Sequence, residues 1–457
     1  MRDSAERMTS GERRAAFSLA GVFAVRMLGL FMILPTFALY AKELQGYTAI
    51  LAGLAIGIYG LTQGLLQIPM GMLSDRIGRK PVIIGGLVVF AIGSVVAAMA
   101  DSVYGVIAGR ALQGAGAIAS AVMALAADLT REDQRMKIMA MIGMSIGMSF
   151  ALALILGPML HGWFGVSGIF WVTAGLALFG IVLVLFRVPN PVVSRFRRDA
   201  TVDPGLLKKI LTDGQLLRLD LGVLILHMIM TATFMAIPLI LNNQMGLAAE
   251  DHWRVYLPVL ILSVVLILPL IIQAEKKRLM KQIFISAVLG LGVACAGMYG
   301  LHQNMGGLVL MLVLFFTAFN LLEASLPSLV TKIAPATHKG TAMGAFSSAQ
   351  FLGAFLGGLT GGWLSQEYGL QGVFLGNAVM AAIWLVFAVT MREPGYLSSY
   401  LLRVGEVDEH EAEDLVDKLS EITGVEEAVV IPEDGVAYLK VDKKVLDREA
   451  LVAFSSP

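Results

Sequence analysis

Charge is scarce in this chain. Of 457 residues, 15% are Asp, Glu, Lys or Arg, against about 25% in an average soluble domain. The 34 basic and 34 acidic residues cancel, so there is none of the net field that draws a protein to nucleic acid. Cysteine is rarer still: Cys295 stands alone inside an apolar run. It can form no intramolecular disulfide and is a poor metal ligand by itself; a small packed apolar residue is its plainer reading. No Gly-rich loop ending in Lys-Ser or Lys-Thr occurs, which argues against a pump that hydrolyses ATP, and no enzyme is read here. A secretory signal is missing too. The opening residues are polar and the first apolar run is too long for a signal core, so that run reads as a retained span.

What the chain has is long hydrophobic runs. Hydrophobic residues make up 57% and the mean hydropathy is +0.77. A helical span needs about 20 mostly apolar residues. Twelve such runs are read: 16–41, 48–73, 81–100, 103–128, 136–160, 168–188, 219–241, 254–274, 282–301, 306–331, 340–364 and 371–391. The loops give a separate test, because cytoplasmic loops collect Lys and Arg. With both termini inside, the cytoplasmic segments 1–15, 74–80, 129–137, 187–218, 275–281 and 332–339 hold 23 basic residues, and the external loops hold Lys42 and Arg254. A missed span would invert every later loop and destroy that asymmetry.

The longest internal loop splits the spans six and six. Within it Leu206, Leu207, Ile210, Leu211, Leu216 and Leu217 alternate with Lys208, Lys209 and Arg218, the pattern of a segment lying on the membrane surface; a plain solvated linker is the other reading. The halves resemble each other at an offset near 200 residues. Gly157-Pro158 with Gly162-Trp163 matches Gly357-Gly358 with Gly362-Trp363, and Phe31 to Pro35 echoes Phe234 to Pro238. Repeated six-span halves place a site between them near the midplane, with access alternating by rocking.

The loop between spans 2 and 3 reads Gly71-Met72-Leu73-Ser74-Asp75-Arg76-Ile77-Gly78-Arg79-Lys80. It resembles the hallmark cytoplasmic loop of the major facilitator superfamily. Gly71 permits close helix approach and Gly78 a tight turn. The resemblance implies that Asp75 faces the start of span 11, near Gly340, where an anion is favoured, and that Arg79 reaches Asp75 and Asp128. Span 4 carries Gly109-Arg110-Ala111-Leu112-Gln113-Gly114, similar to the family's second motif, in which the arginine is associated with proton coupling; snorkelling of Arg110 to the interface is the alternative. Gly157-Pro158 in span 5 resembles the helix-kink antiporter motif of drug–proton exchangers, although His161 stands where the family has a glycine.

The midspan ionisable residues are Arg26, Arg110 and Glu323, with His227 and Asn320 adding polarity. Charges at this depth are expensive and usually functional. Glu323 is therefore expected to exchange protons or hold a cation, with Arg26 tuning it; a structural hydrogen bond between helices is the competing reading. Several of the 25 methionines fall in spans 1, 4, 5 and 7, where they suit promiscuous ligands or ordinary packing.

After Pro394 the composition turns acidic. The order strand (401–404), helix (411–422), strands (427–431 and 436–441) around Pro432-Glu433-Asp434-Gly435, helix (446–454) resembles a ferredoxin-like domain. It lacks a last strand and has no cysteine for metal.

The expected fold is thus an all-α polytopic membrane protein of the major facilitator type, twelve spans in a 6+6 repeat, plus a small α+β domain. Its parts are 1–188, a linker 189–218, 219–396 and 397–457. The resemblance implies a monomeric transporter of the bacterial inner membrane with both termini cytoplasmic. It would work in the bilayer on protons and a small-molecule substrate, with no cofactor beyond the proton gradient, no metal and no nucleic acid. The expected activity is proton-coupled efflux of small apolar or cationic compounds by alternating access. The alternatives are a proton-coupled metabolite symporter and a membrane sensor or scaffold signalling through the C-terminal domain.

Overall fold

The computed structural model describes residues 8–190, 212–276, 279–334, 339–392, 398–405, 407–432, 435–442 and 445–454. Among these, ten helices are long and apolar enough to cross a membrane. Two of them, Lys137–Phe186 and Gly340–Val389, are 50 residues long, about 75 Å at 1.5 Å per residue and more than twice a hydrocarbon core of about 30 Å. Each is interrupted at one glycine in the left-handed region, Gly165 at φ 66° and Gly369 at φ 74°, a conformation that costs glycine little. Each long helix therefore crosses twice, which supplies the twelve spans. Span 1 is Ser10–Glu43, span 2 Ala49–Ile77, span 3 Arg79–Ala98, span 4 Val103–Asp128, spans 5 and 6 Lys137–Phe186. Span 7 is Gly214–Asn243, span 8 Ala249–Gln273, span 9 Met280–Leu301, span 10 Met305–Ile333, and spans 11 and 12 Gly340–Val389.

Two spans begin earlier than hydropathy alone sets them, because polar caps extend them. Thr9 accepts from the Glu12 amide while the Glu12 carboxylate accepts from the Thr9 amide, a capping box that starts the first helix at Ser10. Asp213 accepts from the amides of Gln215 and Leu216. Leu216, Leu217 and Arg218 therefore belong to span 7 and not to the linker, and Leu216 is buried. The remaining residues of the amphipathic reading, 206–211, lie outside the described residues.

The halves repeat in three dimensions. Arg14 donates to the carbonyls of Phe186 and Arg187 at the end of span 6, and Arg218 donates to Thr390 at the end of span 12. Gly165 and Gly369, Arg14 and Arg218, and Thr173 and Asn377 are each 204 residues apart. Thr173 donates to Gly29 O and Asn377 to Ile229 O, both toward the first helix of their own half. The offset is 204 at those three pairs and 200 between the acceptors Gly29 and Ile229, so the register of the repeat differs by one helical turn between elements. Glycines recur every four residues along span 11: Gly353, Gly357 and Gly361 pack on span 7 at Leu224, Met228 and Ala232. Adjacent registers there look alike in sequence.

Where the halves meet, spans 2 and 11 touch backbone to backbone. A Cβ at Gly53 would lie 2.0 Å from Gly358 O, one at Gly57 2.7 Å from Phe355 O, one at Gly60 2.4 Å from Phe351 O and one at Gly362 2.4 Å from Ala49 O. Only glycine allows this approach. The contact fades at Gly64, where a Cβ would lie 3.4 Å from Phe351 Cβ, and a Cβ at Gly340 or Gly344 would meet none of the described residues within 4 Å. The two helices are thus closed toward the Ala49 end and apart toward the end that carries the 74–80 loop. In the middle, Phe150 of span 5 meets Phe31 of span 1 at 5.2 Å between ring centroids. Phe234 of span 7 and Phe316 and Phe319 of span 10 each lie 6.3 Å from Phe150. This aromatic layer joins the halves and belongs to their shared core.

Beyond the membrane helices, β1 (Ser398–Arg403), α1 (Glu409–Ser420), β2 (Val425–Ile431), β3 (Val436–Val441) and α2 (Arg448–Val452) form the expected small α+β domain. The sheet order is β1-β3-β2, antiparallel throughout. Leu402, Ala437, Leu439 and Val441 pack with Leu419 and Leu451 of the helices into a separate core. No fourth strand occurs among the described residues.

Candidate functional site

The loop after span 2 is held by its own half. Gly78 turns the chain at φ 99°. Arg79 pairs with Asp75 one turn back, donates Nη1 to Ser74 Oγ at 2.8 Å and Nε to Asp128 Oδ2 at 3.2 Å. Lys80 donates to Val188 O at 2.7 Å, tying span 3 to the end of span 6. Gly71 allows span 2 to approach Ser120 of span 4, 3.1 Å from a Cβ placed there, and Arg76 is exposed. The expected partnership of Asp75 with the start of span 11 is corrected. Spans 2 and 11 have diverged at this end, and the Asp75 carboxylate turns to Arg79.

Arg26 and Arg110 are enclosed within the first half. Span 4 is not continuous: it breaks between Ala115 and Ala119, which frees backbone polar groups at membrane depth, where an unpaired one costs several kcal/mol. Arg26, fully buried, donates Nη2 to Gly116 O at 3.0 Å and to Gln63 Oε1 at 2.6 Å. Its guanidinium also lies 5.8 Å from the Tyr59 ring and 5.5 Å from that of Phe90. Arg110 donates to Gln113 Oε1 at 2.8 Å and lies over Tyr59 at 5.1 Å. It is 2% exposed, so it does not snorkel. Gln113 passes its amide on to Ser94. The expected tuning of Glu323 by Arg26 has no direct ion pair behind it. Arg26 is held among spans 1 to 4 and Glu323 by spans 7 and 11, in different halves, so the two form no pair.

Gly157 sets span 5 against span 1 where its helix breaks between Phe31 and Leu34: a Cβ there would lie 2.5 Å from Met32 O. The helix keeps helical backbone angles through Pro158, and the non-helical residue is Gly165. The Gly157-Pro158 pair thus makes a close contact within one half.

The second half holds the carboxylate. Gln350 of span 11 lies 2.8 Å from His227 Nε2 and donates to Glu323 Oε1 at 3.2 Å. His227 Nδ1 faces Val223 O at 3.2 Å and its ring meets Phe319 of the aromatic layer, 5.9 Å between centroids. Glu323 Oε2 sits 3.7 Å from His227 Nε2 and has no hydrogen-bond partner, while the side chain as a whole is 38% exposed. Asn320, one turn away, donates weakly to Ser263 of span 8 at 3.5 Å. His227, Asn320 and Glu323 therefore share one region, as the sequence suggested. Gln350 was missed, and its signal was available: a carboxamide near the middle of an apolar span needs a polar partner.

Two six-span halves, related by a repeat and meeting at a glycine seam, with polar groups placed at membrane depth, define a secondary transporter for a small molecule embedded in a membrane. Residues 19–358 and 280–406 match the Major Facilitator Superfamily, and the chain belongs to that family. It is 48% identical to the Inner membrane transport protein YajR of Escherichia coli (strain K12), over 97% of each chain. It is 25% identical to Multidrug resistance protein MdtH of Yersinia enterocolitica over 74% of this chain and 83% of that one. Its fold is shared with a bacterial homologue of the human lysosomal transporter Spinster, crystallised inward-facing and occupied, at TM-score 0.71 and 13% identity over 85% of this chain and 98% of the other.

Proposed function

We propose that the chain exports lipophilic cationic compounds in exchange for protons. The observation that carries this reading is Glu323, a carboxylate with one unpartnered oxygen, reached from a half-open setting and set beside an aromatic layer. Aromatic faces attract organic cations, and a carboxylate at this depth favours either a proton or a cation. Competition between the two for one oxygen is the simplest form of antiport. The similarity to a protein named for multidrug resistance points the same way.

The 74–80 face is assigned to the cytoplasm, because 23 of the basic loop residues fall on that side by the sequence count. On that assignment both termini are cytoplasmic and the structure is open inward. The similarity to an inner-membrane relative supports assigning the chain to that membrane. The loop from Gly71 to Lys80, with Asp128, then serves as the switch that re-engages span 11 when the inner side closes, and the C-terminal domain is a cytoplasmic regulatory or stabilising unit.

Everted vesicles test the reading. With an acid interior, tetraphenylphosphonium should accumulate in vesicles bearing the protein and leave when the pH gradient is collapsed. Accumulation only with an alkaline interior would establish symport and overturn the proposal.

A further inference from the structure

The His227–Gln350–Glu323 contact fixes its own hydrogen positions. His227 Nδ1 faces a carbonyl, Val223 O, which only accepts. Nδ1 therefore carries the hydrogen, and in the neutral ring Nε2 is left as an acceptor. The Gln350 group 2.8 Å from Nε2 must then be its amide nitrogen, whose second hydrogen points to Glu323 Oε1. Both donors of one carboxamide are committed, one to a ring and one to a carboxylate. Hydrogen bonds to an ionised acceptor are roughly twice as strong as neutral ones, so this link is tightest when Glu323 is anionic.

Gln350 also rides on the helix that forms the seam. The next residue, Phe351, presents its carbonyl to Gly60, and Phe355 presents its own to Gly57. One turn on from Gln350, Gly353 lies against the backbone of span 7 at Leu224. Span 11 is thus wedged between span 7 and span 2 with almost no slack. We infer that Gln350 is the positioning residue that couples the charge of Glu323 to the seam: its carboxamide holds span 11 while Glu323 is anionic and releases it when Glu323 gains a proton or surrenders the carboxylate to a cation. The inference rests on the antiport reading of Glu323. The titratable neighbour facing Glu323 among the described residues is His227, on span 7; span 11 contributes the neutral Gln350. A proton arriving at His227 Nε2 would set donor against donor and turn the Gln350 amide over, so it breaks the same link.

The test places spin labels at Met72→Cys in span 2 and Gly344→Cys in span 11, in the full chain with the buried Cys295 replaced by Ala, and follows their separation by pulsed electron resonance from acid to alkaline pH. In the parent the wide separation should dominate at alkaline pH and decline as the medium is acidified. Gln350→Leu, close in volume without the amide, should hold the low-pH distribution at every pH, a change in the two-state ratio on the order of tenfold at alkaline pH. Gln350→Met serves if the leucine variant does not fold. A merely structural role would lower the melting temperature and leave the pH response intact, and that result overturns the inference. The two levels separate cleanly. If Glu323→Gln keeps normal pH-driven transport, the antiport reading falls. If Glu323→Gln abolishes the pH response of the distance while Gln350→Leu keeps it, the coupling role of Gln350 falls alone.

Discussion

The two halves share an architecture and spend their buried polar groups differently. The first half buries two guanidinium groups: Arg26 donates Nη2 to Gly116 O and Gln63 while its Nε and Nη1 have no hydrogen-bond partner among the described residues, and Arg110 donates to Gln113. The second half holds a half-exposed carboxylate whose Oε2 likewise has no hydrogen-bond partner. In the first half polarity meets a broken span and is shut away from solvent; in the second it is partly exposed. An intramembrane charge is therefore not in itself a site. What distinguishes the two is access: Arg26 is fully buried, while the Glu323 side chain is 38% exposed.

The most forceful way to break this comparison is to neutralise each half in turn. Glu323→Gln should reduce proton-driven export to the level of empty vesicles while the melting temperature stays close to that of the parent. Arg26→Met should do the reverse in character. It leaves Gly116 O and Gln63 without their donor, costing about 1–3 kcal/mol for each group left unsatisfied, which thermal melts in detergent would register as a clear loss. Transport per folded molecule should keep its pH profile. Gly57→Val attacks what the halves share. Its Cβ would meet Phe355 O, so cysteines placed near Ala49 and Gly362 should become more reactive to a membrane-impermeant thiol reagent. Smaller still is the effect at the caps. Thr9→Ala and Asp213→Ala, one at the start of each half, should each cost about 1 kcal/mol, equal within error, because the repeat gives both halves the same kind of helix start.

Most of the fold was legible because lipid leaves few options: runs of apolar residues must be helices, and the Lys and Arg of the loops count them. The Gly71–Lys80 loop was equally plain, since its glycine, acid and bases sit at fixed spacing and Arg79 does reach Asp128. Other features depend on distances between helices that no local pattern encodes. The break in span 4 beside Arg26 involves Gly116 and Ile118, unremarkable in sequence, so the arginine read as a tuning charge when it is a backbone donor. Asp75 was expected to face the start of span 11, and its carboxylate pairs instead with Arg79, one turn along the same loop. Gln350 was passed over because a single neutral amide carries no charge signal, although it makes the shortest contact at the carboxylate site.

The account's central claim is that exchangeable charge resides in the second half and structural charge in the first. Its most direct test is the pH dependence of tetraphenylphosphonium export, measured side by side for Glu323→Gln and Arg26→Met and normalised to folded protein. The predicted result is a flat profile for the glutamine variant and the parental profile, at reduced yield, for the methionine variant. A flat profile for Arg26→Met with a parental one for Glu323→Gln would contradict it.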